Sequence, residues 1–251
     1  MGYRVTTLNV NAIEPAGSTL TIGASGDTVV ATDSVNVNTV KDAGGNTLWV
    51  SNGSGTLSSV SSGFGDALKL ISTTTISASS STVDITSGID NTYEAYLFKL
   101  YRIIVSTGDK IFGFQVNASG QSGFNEPITS THFQAQHNEA NNYATLNYVT
   151  AADQTDGTDY QTTFAGLNGV STAADECANG WLYLFNPSDT TYVKNFYATI
   201  SSNNAGNSND PSAWNGFTAG RIETTSAITE ISFKMSSGTI DGGIIKMYGV
   251  A

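Results

Sequence analysis

From residue 69 to residue 249 the chain is a succession of short runs in which apolar side chains alternate with polar ones, each run closed by turn residues. A period of two is the spacing of a strand with one face in a core and the other in water. Phe112, Phe114 and Val116 share one face of such a run, as do Ile231, Phe233 and Met235. Turn chemistry stands between runs at Thr107-Gly108-Asp109, Ala118-Ser119-Gly120, Asn186-Pro187-Ser188-Asp189, Ser236-Ser237-Gly238 and Asp241-Gly242-Gly243. No stretch of helical length carries a 3.6-residue apolar stripe. The pattern predicts strands at 69–77, 81–87, 94–106, 111–117, 130–137, 143–150, 181–186, 191–201, 215–223, 228–235 and 243–249. That number of short strands makes an antiparallel β-sandwich, most simply of jelly-roll type.

The first quarter has a different texture. From about 16 to 60 the chain is rich in Gly, Ser, Thr and Asn, and its strand-like runs are three to five residues long. Leu20 and Ile22 alternate with Thr, Val35 and Val37 alternate with Asn, and Leu48 and Val50 flank Trp49. One copy of such a segment buries too little apolar area to offset the entropy of ordering it. Several copies around an axis share a core that none has alone, so the segment is expected to be an oligomeric stalk. Met1 to Gly17, poor in alternation, reads as a tether that orders on docking. Ser61-Ser62-Gly63-Phe64-Gly65-Asp66 reads as the joint, giving a stalk over 1–65 and a sandwich over 66–251.

Charge and cysteine content narrow the functions open to this fold. Only 12% of residues are charged, against roughly 25% in an average soluble protein. The net charge of −11 argues against neutralising nucleic-acid phosphates and against docking on anionic lipid. Cys177 is the single cysteine, so no intrachain disulfide is possible, and Asp175 and Glu176 beside it disfavour a reactive thiolate. Met1 to Pro15 has no apolar leader core, and Tyr96 to Val105, broken by Lys99 and Arg102, is far short of the ~20 residues of a membrane span. The match of Met1-Gly2 with Thr6 to an acylation pattern stands without a second membrane signal.

Several blocks carry a resemblance. Thr82-Val-Asp-Ile-Thr-Ser-Gly-Ile-Asp-Asn-Thr-Tyr93, Leu182-Tyr-Leu-Phe-Asn-Pro-Ser-Asp-Thr-Thr-Tyr-Val-Lys194, Thr224 to Ile228, Ile231 to Gly238 and Ile245 to Gly249 resemble tail-fibre and structural proteins of tailed bacteriophages, chiefly marine ones. Leu20-Thr-Ile-Gly-Ala-Ser-Gly-Asp-Thr28 is similar to strand-turn openings of phage fibres. The resemblance implies a virion protein assembled in the host bacterial cytoplasm. It also implies a homotrimer, with capsid or tail-adaptor partners and host contact at its outer end.

Residues that could carry chemistry are few. His132 and His137, the only histidines, are an odd number of residues apart, which sends them to opposite faces of a strand and away from a shared metal; a surface or interface role is expected. Asp153, Asp156 and Asp159 surround Gly157 in an oxygen-rich turn that lacks EF-hand spacing, in a segment, 153–160, expected to be an exposed loop like 201–210. No Gly-x-Ser-x-Gly elbow occurs, and no cofactor or metal is expected. Asn52 and Asn117 sit in Asn-x-Ser sequons that read as chance matches.

Trp49, Trp181 and Trp214, with Tyr143, Tyr148 and Tyr160, can offer sugar-stacking faces, with amides nearby to bond hydroxyls. Trp181, inside a strand-like run with Leu182 and Leu184, reads as core. Trp214 with Asn215, and Tyr160, read as the possible glycan contacts. The expectation is a non-enzymatic short fibre, on tail or head, anchored by its N-terminus and adhering to host-surface glycans. A capsid decoration protein that stabilises the shell is the alternative, and a polysaccharide-degrading tailspike a third.

Overall fold

The structure, a computed structural model, describes residues 37–61, 67–108, 110–164, 177–204 and 212–250. The tether, the runs at Leu20–Ile22 and Val35, and most of the joint lie outside them. The chain divides into two compact units between residues 64 and 65.

In the first unit, β1 (Thr39–Lys41), β2 (Thr47–Ser51) and β3 (Leu57–Val60) form an antiparallel three-stranded sheet. Asp42 and Asn52 build its turns: Asp42 accepts from the Asn46 amide at 2.8 Å, and Asn52 Oδ1 accepts from the amides of Ser54 and Thr56. Trp49 is half-buried, and no residue of 37–61 whose burial is described is fully buried.

The second unit is all β and antiparallel, as the alternation requires. Its strands are β4 (Leu68–Ile76), β5 (Thr82–Ile85), β6 (Ala95–Val105), β7 (Phe112–Ala118), β8 (Ile128–Asn138), β9 (Ala144–Tyr148), β10 (Gln161–Phe164), β11 (Ala178–Phe185), β12 (Lys194–Asn204), β13 (Ser212–Ile222), β14 (Ile228–Met235) and β15 (Ile240–Val250). Eight form one sheet in the order β4-β15-β6-β11-β12-β13-β8-β9, and four form the other in the order β10-β7-β14-β5. The two sheets face each other as a jelly-roll-like sandwich. Phe98 of the large sheet meets Phe233 of the small one edge-on at 6.0 Å, and Phe114 meets Phe196 at 5.0 Å. Phe112, Phe114, Val116, Ile231, Phe233 and Met235 all lie in this core.

All eleven runs read from the sequence beyond residue 68 coincide with strands. β10 is an addition, and one loop needs correction. Residues 153–160 form the expected loop, with Thr155, Asp156, Thr158 and Asp159 exposed, and the fully buried Gln115 ties it to the sandwich by donating from Nε2 to the carbonyls of Thr158 and Asp159. Residues 201–204 continue β12 rather than opening a loop, and 205–210 lie outside the described residues.

Polar anchors fix the ends of the sandwich. The Tyr96 hydroxyl accepts from the Asp90 amide at 2.9 Å and donates to the Asp90 carboxylate at 2.9 Å, and burial pushes its phenol up to about 12. Lys194, fully buried, donates to the carbonyls of Tyr192 and Thr224, and burial lowers its ammonium below the usual lysine range.

Candidate functional site: an aromatic cleft and a cross-strand row

The even-numbered residues of β8 and β13 point into the sandwich. Their register sets Gln136 opposite Trp214, and the pairing of β8 with β9 sets Gln134 opposite Asn147. Trp214, only 7% exposed, closes the end of the core and also lines a cleft of about 540 Å³ with Gln134, Gln136, Tyr143 and Asn147. Tyr143 is held there by the preceding turn: Asn138 Oδ1 accepts from the amides of Asn142 and Tyr143 at 3.1 and 2.9 Å. Its ring stays half exposed. Gln134 Oε1 is buried without a hydrogen-bond partner among the described residues, an acceptor left open at this cleft.

Among the described residues no charged side chain lines the cleft. Aromatic faces beside side-chain amides suit an uncharged, hydroxyl-rich ligand: a pyranose lays its C–H face on a ring, and amides donate to and accept from hydroxyls. A shallower depression of about 460 Å³ along Thr129, Thr131, Ala219 and Arg221 has one cation, and Arg221 is already paired with Glu223 at 2.8 Å.

The three glycan contacts read from the sequence do not meet. Trp214 is not a surface side chain, and Asn215 points to the opposite face of β13, where its Oδ1 accepts from Thr199 Oγ1 at 2.9 Å. Tyr160 sits at the start of β10 in the other sheet. Its hydroxyl donates to Ser232 Oγ at 2.8 Å, Ser232 donates to Asp84 at 2.6 Å, and Lys234 Nζ stands 5.0 Å over the ring. Burial pushes its phenol up. With ring face and hydroxyl both occupied, Tyr160 makes a poor stacking platform. Trp181 is corrected in the other direction: Leu182 and Leu184 take the core, and Trp181 is 44% exposed on the outside.

Trp181 belongs to a row that crosses the whole large sheet. Direct strand partners run Thr73–Lys246–Lys99–Trp181–Thr199–Phe217–Phe133–Tyr148, one residue from each of the eight strands. Phe133 and Phe217 stack at 4.8 Å. Lys99 lies 5.5 Å over the ring of Tyr248 and Lys246 lies 6.0 Å over that of Tyr101.

The remaining candidates are structural in their contacts. His132 and His137 lie on opposite faces of β8, but His132 is fully buried rather than a surface or interface residue. Its Nδ1 is 2.6 Å from Thr218 Oγ1, which donates to the Thr162 carbonyl, so Nδ1 carries the proton. Nε2 has no partner among the described residues, and burial pushes the imidazole down to about 4 against the opposing charge of Asp153. Asp153 accepts from the His132 amide at 2.8 Å and from the Tyr148 hydroxyl. Among the described residues no three His, Cys, Asp or Glu side chains are grouped to hold a metal. Cys177 is half-buried, with Asn179 Nδ2 3.4 Å from its sulfur, and Asn117 Nδ2 donates to Glu230.

Comparison of the chain with models of known protein families, with curated proteins and with solved structures yields no match.

Proposed function

We propose that this chain is a structural protein of a tailed-bacteriophage virion: a short, self-associating fibre, on head or tail, that binds host-surface glycans through the Trp214–Tyr143 cleft. Virion origin is supported by the sequence blocks that resemble phage structural proteins. Residues 1–65 serve as anchor and stalk, meeting a capsid or tail-adaptor protein and copies of the same chain. Self-association is supported by the exposed three-stranded sheet of β1 to β3, which has no buried residue of its own among those described. No catalytic role is assigned to any residue.

The observation that carries the adhesive role is the cleft. It combines a fixed indole, a half-exposed tyrosine and three side-chain amides with no charge. A glycan array probed with the full-length protein tests it, with Tyr143→Ala as the comparison because its ring is exposed and its loss spares the core. Binding to a subset of neutral glycans, weakened about tenfold by Tyr143→Ala, is expected for one lost stacking ring. A folded protein that binds none of a broad panel, or binds equally as Tyr143→Ala, refutes adhesion through this cleft.

A further inference from the structure

Charge is segregated in this molecule. The eight strands of the large sheet hold Lys69, Lys99, Arg102, Lys194, Arg221 and Lys246, six of the ten cations of the chain, and only Asp241 of its 21 carboxylates. A chain of net charge −11 therefore has a large sheet of +5.

On the outer face the two lysines of the cross-strand row, Lys246 and Lys99, are direct partners on neighbouring strands. Like charges in that position destabilise a sheet. The side chains relieve the clash by turning apart, each onto a diagonal tyrosine: Lys99 over Tyr248 and Lys246 over Tyr101. Among the described residues neither ammonium has a carboxylate within 4.0 Å, and the ion pair there is Arg221 with Glu223. Asp241, the one acid of the sheet, accepts from Thr239 Oγ1 at 2.8 Å. Beyond Lys99 the row continues through exposed Trp181, stacked Phe217 and Phe133, and Tyr148. With strands ~4.8 Å apart, eight strands give a track of roughly 34 Å.

We propose that this row is a binding track for an acidic polysaccharide, whose carboxylate, sulfate or phosphate groups neutralise Lys99 and Lys246 while its sugar rings lie along Trp181 and the aromatic residues beyond. The pairing of two lysines without a counterion is what selects an anion. The linear order of cations and rings selects an extended chain. An apolar protein face fits less well, because it would strip water from two unpaired ammonium groups. A second copy offering the same sheet face to face would bring only Asp241 as a carboxylate from its strands. The track meets the cleft at Tyr148, which lines both, and differs from it in charge preference and in Lys99, Lys246 and Trp181.

Affinity electrophoresis of the full-length protein in gels containing alginate, dextran sulfate or neutral dextran tests the track. Net charge opposes binding to either polyanion, so retardation reports a local site. Retardation by at least one polyanion and none by neutral dextran is expected, with alginate and dextran sulfate separating carboxylate from sulfate preference. The double variant Lys99→Gln/Lys246→Gln should lose about tenfold in affinity, and salt near 0.5 M should abolish retention. Trp181→Ala should weaken retention while leaving that salt dependence. Tyr143→Ala should change nothing, which separates this site from the cleft. No retardation by either polyanion, or equal retardation of the double variant, overturns the proposal. So does protection of Lys99 and Lys246 from amine acetylation in the protein alone, which would mean that a second copy covers the track.

Discussion

His132 shows how much one side chain can be asked to do by its surroundings. It faces the core from β8 beside Thr218 of β13, its Nδ1 proton committed to Thr218, and its Nε2 is buried without a partner among the described residues. An imidazole with a folded value near 4 and an ordinary value of 6.5 resists protonation in the native state. Between those limits the unfolded chain binds the extra proton, so stability rises with pH from about 4 to 6.5, is complete above that window, and is lost as pH falls through it. The shift corresponds to about 3 kcal/mol. Urea unfolding of the wild type and of His132→Gln at pH 4 to 7 should show a steeper acid loss in the wild type by about that amount. Parallel pH profiles would contradict it. The odd spacing of His132 and His137 made their opposite faces legible. Which face was buried was not, because the inward neighbours Ser130, Gln134 and Gln136 are polar. The same lack of apolar contrast hid Trp214, whose inward companions on β13 are Ser212, Gly216 and Thr218. Trp181 could have been placed outside by strict alternation with Leu182 and Leu184; its place in their apolar run suggested core, and the period of two prevailed.

At the scale of elements, strands with apolar inward positions announced themselves and strands with polar ones did not. β10 is Gln161-Thr162-Thr163-Phe164, and Gln161 and Thr163, buried among its described side chains, are polar. Gln161 donates to the Ala152 carbonyl and Thr163 to the Phe112 carbonyl, so hydrogen bonds replace the apolar contrast a sequence displays. Glycine marks where strands approach closely. Gly180 faces the core from β11, and a Cβ there would stand 2.3 Å from the Thr199 carbonyl oxygen and 2.8 Å from Ile200 Cα. Backbone cannot swing aside as a side chain can, so Gly180→Ala must push β11 off β12. A loss of about 1–3 kcal/mol is expected in denaturant unfolding, the range of an overpacked core. A change under ~0.5 kcal/mol would mean that the strands do not pack this closely. The cross-strand row is also a property of elements, since no single strand contains it. Its eight members are scattered from residue 73 to residue 246, and only register brings them into line.

At the scale of the molecule, the sandwich and the small N-terminal sheet pose opposite problems. The sandwich has a continuous core of both sheets, and its all-β, antiparallel character was legible throughout. Among the described residues the sheet of β1 to β3 has no such core: Trp49 is half-buried, and Leu57 and Val60 are exposed. Three short strands rarely hold alone, and copies of the chain are the nearest source of missing apolar surface. That need places self-assembly at the centre of the fibre proposal and separates it from a decoration protein that meets its partner only on the shell. The most direct measurement is the solution mass of the full-length protein by light scattering at micromolar concentration. The fibre reading predicts three chain masses. A single chain mass would contradict it and favour a decoration protein that orders on the capsid.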